Sequence, residues 1–259
     1  MSTFDAVAAL VMRDVRALLR SRSQLYSSVL FPLMLLAILG AGVSDGLDPR
    51  NVDDYVTFLT PGMIVMTALF SSTFSSASYY QDRDSGMLKV LLASPHSPRV
   101  VLFGKTLSSV ILGAVQALLV LGAAAMIPAI NFHWEYGVAG SLALTLFGVI
   151  ALNVLLGGLG QWMASRIRTM QGFHLVMNLA LFPFLFFSGA FFPLDDLPVW
   201  LETLGRINPL SYAVDLLHLA LYARSDEGYF GVGIDLAVIS ALAVAVFYFG
   251  TSRAPSPDR

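Results

Sequence analysis

Long apolar runs alternate with short polar segments along most of this chain. A helix that crosses a bilayer needs about 20 mostly apolar residues, because the hydrocarbon layer is roughly 30 Å thick. The pattern predicts six such spans, at about residues 25–43, 57–78, 100–127, 138–164, 173–192 and 231–250. The sixth is the weakest, since it contains Asp235, which we expect at the membrane surface. The chain is therefore predicted to be an all-α integral membrane protein with a single transmembrane domain over residues 1–259.

The basic residues are distributed unevenly between the two sides of the predicted bundle. Twelve of the 15 Lys and Arg residues lie in the N-terminal segment, the second and fourth connections and the C-terminal segment, with only five of the 17 acidic residues. Because cytoplasmic loops carry an excess of Lys and Arg, both termini are predicted to be cytoplasmic. We expect a multi-pass protein of the plasma (inner) membrane.

The segment before the first run has the pattern of an amphipathic helix over about residues 3–22. At 100° per residue, one apolar arc holds Phe4, Val7, Val11, Val15 and Leu18. Arg13, Arg16 and Arg20 fall roughly opposite. Such a helix lies in the membrane interface, with its basic face toward anionic head groups. An ordinary basic flank of the first span is the alternative.

The second connection contains a short amphipathic pattern, which we predict to be a helix over about residues 84–94. Asp82, Asp84 and Ser85 suit a helix N-terminus, where they satisfy free N–H groups and the helix dipole. One apolar face follows, formed by Met87, Leu88, Leu91 and Leu92. Pro95 then ends the helix. A helix of two turns is not stable alone in water, so it docks into another protein or lies on the membrane.

The chain between residues 192 and 230 is neither a span nor a simple loop. One short helix begins near Leu197 and breaks near Gly205. Asn208 is a good N-cap, and Pro209 after it suits the first position of a second helix. We predict two short re-entrant or interfacial helices over about residues 197–224, on the outer side of the membrane.

Composition excludes most other classes of protein. Hydrophobic residues make up 56% of the 259 residues and charged residues only 12%, whereas a soluble domain carries about 25% charged residues. The net charge of −2 provides no basic excess for a nucleic acid, and the absence of Cys excludes disulfides and thiolate chemistry. Gly104-Lys105-Thr106 is similar to the end of a phosphate-binding loop, but Arg99 stands where that loop requires Gly. We predict no nucleotide, catalytic or metal site in this chain.

The energy source for any transport is therefore predicted to lie outside this chain. An ion-coupled carrier needs a buried carboxylate near the middle of the membrane, and the apolar runs offer none there. Candidates for a substrate path are polar residues inside the spans and phenylalanines near the end of the fifth, namely Gln116, Asn153, Asn178, Phe184, Phe187 and Phe191. Helix packing and lipid contact are their alternative roles.

Two stretches resemble the permease subunits of type-2 ABC exporters, close to the daunorubicin-resistance branch. The first is residues 82–105, with Ser85-Gly86-Met87-Leu88, then Leu91-Leu92-Ala93-Ser94-Pro95, then Gly104-Lys105. The second is Phe187–Leu217, which reads FSGAFFPLDDLP and then INPLSYAVDLL. The resemblance follows the order of the spans along the whole chain.

This resemblance implies an interfacial elbow helix, six spans, a cytoplasmic coupling helix after the second span and two short outer helices before the sixth. It also implies a second permease chain, most simply as a homodimer, and two copies of an ABC ATPase subunit. ATP and Mg²⁺ would bind to those ATPase subunits and no cofactor to this chain. The residues implied to contact the ATPase are Arg83, Asp84, Gly86, Met87, Leu88, Leu91, Leu92 and Pro95.

The sequence thus predicts a transmembrane permease that moves a hydrophobic or amphipathic molecule out of the cytoplasm, with energy from a separate ATPase. The class of substrate stays open between a drug or antibiotic, a lipid and a lipid-linked glycan. One alternative is an ion-coupled secondary carrier, which a titratable residue at the midplane would favour. Another is a non-transporting membrane scaffold or an intramembrane enzyme, which lipid turnover by the purified chain would favour.

Overall fold

The computed structural model describes residues 3–44, 49–87, 98–128, 130–222 and 228–252. Within them the chain is helical and contains no β-strand. The helices are α1 (Thr3–Arg20), α2 (Arg22–Ser44), α3 (Pro49–Asp84), α4 (Pro98–Ala124), α5 (Gly137–Arg166), α6 (Met170–Phe186), α7 (Val199–Ile207), α8 (Pro209–Leu221) and α9 (Val232–Ser252). Each predicted apolar run overlaps a helix, the form in which a lipid-embedded backbone satisfies its own polar groups.

Several of these helices have the length and apolar character of membrane spans. Three are long and apolar enough by themselves, over Tyr55–Asp84, Phe103–Ala124 and Gly137–Arg166. Shorter apolar helical stretches accompany them in the described residues, at Tyr26–Leu39, Met170–Phe186, Pro209–Leu221 and Val232–Tyr248. This bundle fits an integral membrane protein, while the number of six spans stays a prediction.

The end of the fifth predicted run differs from its expected place. The helix α6 ends at Phe186, and the Phe187 N–H donates to the Pro183 carbonyl at 3.0 Å. Gly189 then adopts a positive φ of 81°, a backbone conformation that favours glycine because it lacks a Cβ. A 3₁₀ turn at Leu194–Asp196 follows. The chain therefore turns back within the apolar run instead of completing it as a helix.

Helix α3 is the centre of the bundle. It packs against α2, α4 and α5, and residues 59–69 along it are buried. The helix α5 also packs against α8 and α9, while α1 lies on α4. On α6, Leu175 and Leu179 are 68% and 73% exposed, so much of that helix faces outward. The core of the chain is thus formed by α3, α4 and α5, with α6 at its edge.

Small and polar side chains line the contact between the three core helices. Ser72 on α3 donates a hydrogen bond to Asn153 on α5 at 3.0 Å and accepts one from Ser109 on α4 at 3.3 Å. Gly113 faces Asn153 so closely that a Cβ atom there would overlap the amide. Close packing of small and hydrogen-bonding residues is typical of helices in lipid. This packing joins the middle parts of α3, α4 and α5.

Candidate functional site

The last turn of α3 and the first turns of α4 form one end of the bundle, called here the Lys105 end. The chain between these two helices includes residues 88–97, which lie outside the described residues. Lys105 itself lies in the second turn of α4, with a side chain only 1% exposed. Burial of an ammonium group is costly unless it is paired, so its partners define this end of the molecule.

Four charged side chains from three helices meet at the Lys105 end and form what we call the ion cluster: Arg13, Asp14, Asp82 and Lys105. The Lys105 Nζ lies 2.5 Å from Asp82 Oδ2 and 4.0 Å from Asp14 Oδ2. It also donates to the Ser78 hydroxyl at 2.9 Å. Arg13 Nη2 donates to Asp14 at 2.7 Å and to Asp82 at 2.9 Å. The ion cluster is neutral overall and joins α1 to the ends of α3 and α4.

The position of α1 follows from its contact with α4. Leu10 is buried and faces Gly104, whose missing side chain allows the two helices to approach. Asp14 lies one turn further along α1 and therefore reaches Lys105, the residue after Gly104. This corrects one feature of the predicted amphipathic helix. Arg16 and Arg20 are exposed, but Arg13 is paired within the protein instead of facing lipid head groups.

The charges of the ion cluster also act on the ionisation of Arg13. Burial lowers the pKa of this guanidinium, but its hydrogen bonds and ionic contacts with Asp14 and Asp82 outweigh that effect. The pKa of Arg13 is therefore raised above its ordinary value, and the side chain stays charged. A permanently charged Arg13 keeps α1 attached to Asp82.

Only some of the residues implied to contact an ATPase lie in the part of the chain that the structure describes. Arg83 donates to the Arg168 carbonyl at 2.8 Å, and its guanidinium lies 5.1 Å from the centroid of the Tyr80 ring. The Tyr80 hydroxyl donates to the Ile167 carbonyl at 3.0 Å, so the end of α3 holds the connection between α5 and α6. Other predicted coupling residues lie outside the described residues, namely Leu88, Leu91, Leu92 and Pro95.

The acidic residues expected at the start of the coupling helix lie instead at the end of α3, and the helix itself stays a prediction. Asp82 and Asp84 lie in the last turn of α3, where acidic side chains oppose the helix dipole. Basic neighbours compensate, since Arg83 contacts Asp84 and the ion cluster surrounds Asp82. Gly86 then ends the helix with a positive φ of 74°, and Met87 beyond it is 40% exposed. The chain leaves α3 at Gly86 with an apolar side chain at the surface.

The predicted substrate-path residues do not meet in one place. Gln116 and Asn153 are buried in the interior of the bundle, at 1% and 0% exposure. Asn178 and Phe184 are exposed on α6. Phe187 is half-buried, and Phe191 is buried with its ring stacked on Phe186 at 4.8 Å between centroids. Their role in transport stays a prediction.

The opposite end of the bundle, called here the Asp215 end, contains a cavity of about 310 Å³. Its walls come from the beginning of α3, from α8, and from residues 188–195 and 228–229. Asp215 accepts backbone N–H groups from Tyr229 at 3.0 Å and Phe230 at 2.8 Å. The His218 Nε2 lies 2.9 Å from the Phe58 carbonyl, and the two rings stack at 4.7 Å.

Asp235 lies in the first turn of α9, near the Asp215 end. It is 0% exposed, so its side chain is enclosed by the protein, while its position at the membrane surface stays a prediction. Its carboxyl group is next to that of Asp215, and neither of its oxygens has a hydrogen-bond donor within the described part of the chain. The burial arises because α8 and α9 pack together, with the chain at Tyr229 and Phe230 held to Asp215.

Comparisons with known proteins agree on one family. The sequence profile described as ABC-2 type transporter matches residues 5–222. The chain is 32% identical over 166 residues to the probable multidrug ABC transporter permease YbhR of Escherichia coli K12, covering 63% of this chain and 43% of that protein. It is 30% identical over 224 residues to the putative transport permease ycf38 of Cyanophora paradoxa, covering 84% of this chain and 74% of that protein. It is 25% identical over 230 residues to the daunorubicin resistance ABC transporter permease protein DrrB1 of Streptomyces coeruleorubidus, covering 86% of this chain and 76% of that protein.

Proposed function

Because this chain belongs to the ABC-2 type transporter family, we propose that it is the permease subunit of an ATP-driven exporter. The observation that carries this proposal is the family match over residues 5–222, which includes the whole ion cluster and most residues that line the cavity at the Asp215 end. The proposed cargo is a hydrophobic or amphipathic molecule, and a drug or antibiotic is favoured among the open classes. Two of the relatives named above are described as a multidrug permease and a daunorubicin resistance permease.

The proposed orientation places the Lys105 end in the cytoplasm and the Asp215 end outside. It rests on the excess of Lys and Arg in the cytoplasmic connections. In this arrangement α2 to α6 and α9 are the six spans, and α1 is the interfacial elbow helix. The short helices α7 and α8 lie in the outer part of the membrane. Both termini are then cytoplasmic, in the plasma membrane.

The proposed ATPase contact is the chain that leaves α3 at Gly86 and returns at Pro98. ATP and Mg²⁺ bind to the ATPase subunit, which supplies the energy. Movement of this segment acts directly on the last turn of α3 and the first turn of α4, because those turns flank it. The ion cluster extends the effect to α1, since Arg13 and Asp14 are bound to Asp82 and Lys105. A rocking of α3 and α4 in response is the proposed transport step.

A second permease chain completes the proposed assembly. An apolar groove of about 400 Å³ lies beside α2, lined by Tyr26, Ser27, Leu30, Phe31, Met34, Phe70 and Phe182. Its apolar side chains are compatible with either lipid or another permease chain. The homodimer is proposed from the family, and this outward-facing apolar surface is compatible with it. Substrate is proposed to move along the contact between the two chains.

Purification of the intact chain from its host in mild detergent tests the proposal. The expected result is an ABC ATPase that co-purifies with the permease. After reconstitution into vesicles, the complex is expected to transport an amphipathic dye only with ATP, and a hydrolysis-deficient ATPase is the control. Uphill transport by the permease alone without nucleotide would support the ion-coupled carrier instead. Lipid turnover by the permease without any ATPase would support the intramembrane enzyme.

A further inference from the structure

We propose that Tyr80 and Arg83 transmit the movement of α3 to α6, so that α6 tilts when the end of α3 moves. The two residues are one turn apart near the end of α3 and therefore project from the same face of it. The chain proposed to contact the ATPase leaves α3 at Gly86, shortly after them. The source of the movement thus rests on the proposed function, whereas the attachment of α6 to α3 does not.

Both side chains donate hydrogen bonds to main-chain carbonyl groups between α5 and α6. This connection covers only residues 167–169. The Tyr80 hydroxyl donates to the Ile167 carbonyl at 3.0 Å, and Arg83 Nη1 donates to the Arg168 carbonyl at 2.8 Å. The two carbonyl groups precede the N-cap of α6, so they are not acceptors in its own hydrogen-bond ladder. They are therefore available as attachment points for α3.

A buried ring contact adds to these hydrogen bonds. The Tyr80 ring packs on that of Phe173 near the start of α6, with 5.6 Å between centroids, and both residues are 0% exposed. The Arg83 guanidinium lies 5.1 Å from the centroid of the same Tyr80 ring. The end of α3 cannot shift away from α6 unless two hydrogen bonds and a buried aromatic contact are broken. The start of α6 is therefore expected to follow α3.

The far end of α6 is held by a different helix. The Asn208 side chain, at the start of α8, donates to the Phe184 carbonyl. Between the two ends, one face of α6 is buried through Phe173, Met177, Leu181 and Leu185. Leu175 and Leu179, on the other side, are 68% and 73% exposed. Because α3 holds one end of α6 and α8 holds the other, movement of α3 alone changes the tilt of α6.

Tyr80→Phe tests the transmission, because it removes the hydroxyl group and keeps the ring contacts. The parent and variant complexes with the ATPase are reconstituted into vesicles, where ATP hydrolysis and transport of an amphipathic dye are both measured. Tyr80→Phe is expected to lower the number of dye molecules transported per ATP hydrolysed by about twofold to tenfold, the range for loss of one neutral hydrogen bond. The rate of ATP hydrolysis is expected to stay unchanged, which a merely structural defect would not produce.

Tyr79→Phe is the matched control. Tyr79 is the neighbouring residue, and its half-buried ring lies 5.9 Å from that of Tyr80 between centroids. Its hydroxyl makes no hydrogen bond within the described part of the chain. Tyr79→Phe is therefore expected to leave the transport per ATP hydrolysed at the level of the parent complex.

A second measurement needs no ATPase. The chain contains no Cys, so nitroxide labels can be attached to single introduced cysteines. Gln81→Cys near the end of α3 and Leu175→Cys on α6 place two labels at exposed positions. Electron paramagnetic resonance then gives the distribution of distances between the labels in the purified permease. Tyr80→Phe/Arg83→Met is expected to widen this distribution, since it removes both donors, whereas Tyr79→Phe should not.

Three results would overturn the proposal. The first is an unchanged number of dye molecules transported per ATP hydrolysed by Tyr80→Phe. The second is an equal loss of transport and of ATP hydrolysis, because it indicates a structural role. The third is a distance distribution of Tyr80→Phe/Arg83→Met as narrow as that of the parent. A parent complex that hydrolyses ATP without transport counts against the proposed function instead, and the distance measurement still decides whether Tyr80 and Arg83 attach α6 to α3.

Discussion

The ammonium group of Lys105 and the carboxylate of Asp82 form a buried ion pair between the ends of α3 and α4. Lys105 is almost completely inaccessible to solvent, and Asp82 is also contacted by Arg13 from α1. The stability of the Lys105 end therefore depends on charge balance more than on any single hydrogen bond. Loss of one partner leaves a buried charge unpaired, whereas loss of both leaves none.

Asp82→Asn is expected to lower the free energy of unfolding by about 3–5 kcal/mol, because Lys105 loses its nearest counter-charge and keeps only Asp14 at 4.0 Å. The double variant Asp82→Asn/Lys105→Met should regain much of that loss. Asp84→Asn is the matched control, since Asp84 has an exposed side chain. Thermal unfolding in one detergent, with the four proteins side by side, measures the effect. A double variant no more stable than Asp82→Asn would contradict this account of the ion cluster.

The second prediction concerns the apolar face proposed to dock on the ATPase. The change Leu88→Asp/Leu91→Asp is expected to abolish co-purification of the ATPase, because it places two charges in an apolar contact. Leu204→Asp is the control, since Leu204 is 45% exposed on α7 at the opposite end of the molecule. Membrane insertion of both variants is checked by fractionation. If the ATPase still co-purifies with Leu88→Asp/Leu91→Asp, it binds to another part of the permease.

The helices of this fold are largely predictable from sequence, because apolar length and caps are local properties. Asn208 and Pro209 begin α8 as predicted. The sequence does not predict the ion cluster, although Lys105 within an apolar run and Asp14 beside an apolar arc are signals of it. Their meeting depends on how α1 packs on α4, which no local pattern contains. The local pattern likewise places Asp82 and Asp84 at the start of the next helix, because the contacts of Asp82 with Arg13 and Lys105 come from distant parts of the chain.

The burial of Asp235 is a second feature that the sequence does not predict. A carboxylate one turn inside an apolar run usually lies in the membrane interface, and sequence alone favours that position. Here the chain before α9 folds back onto Asp215, through hydrogen bonds from the backbone of Tyr229 and Phe230. The carboxyl group is thereby enclosed. Only the arrangement of α8 against α9 brings the two acidic residues together.

The third prediction concerns the close contact between α3 and the segment after α6. A Cβ atom on Gly62 would lie 2.6 Å from the Ala190 carbonyl oxygen and 2.9 Å from its Cα. Gly62→Ala is therefore expected to destabilise the protein by about 1–3 kcal/mol, because backbone atoms must move. Gly122→Ala is the control, since a Cβ atom there meets nothing within 4 Å. The midpoints of thermal unfolding of the two variants are compared. Equal midpoints would contradict the close contact between Gly62 and Ala190.

The last prediction separates the two roles of Asn208 at the start of α8. Its side-chain oxygen accepts the Leu210 N–H at 3.0 Å, and its amide nitrogen donates to the Phe184 carbonyl near the end of α6. Asn208→Ala removes both bonds and is expected to cost about 1–2 kcal/mol of stability, the range for loss of an N-cap. Asn208→Asp keeps the cap but loses the donor, and it places a carboxylate against a carbonyl oxygen. If capping dominates, Asn208→Asp will unfold close to the parent chain in a thermal melt. If the bond to Phe184 dominates, it will unfold as early as Asn208→Ala, and the attachment of α8 to α6 will then be the main contribution of this residue.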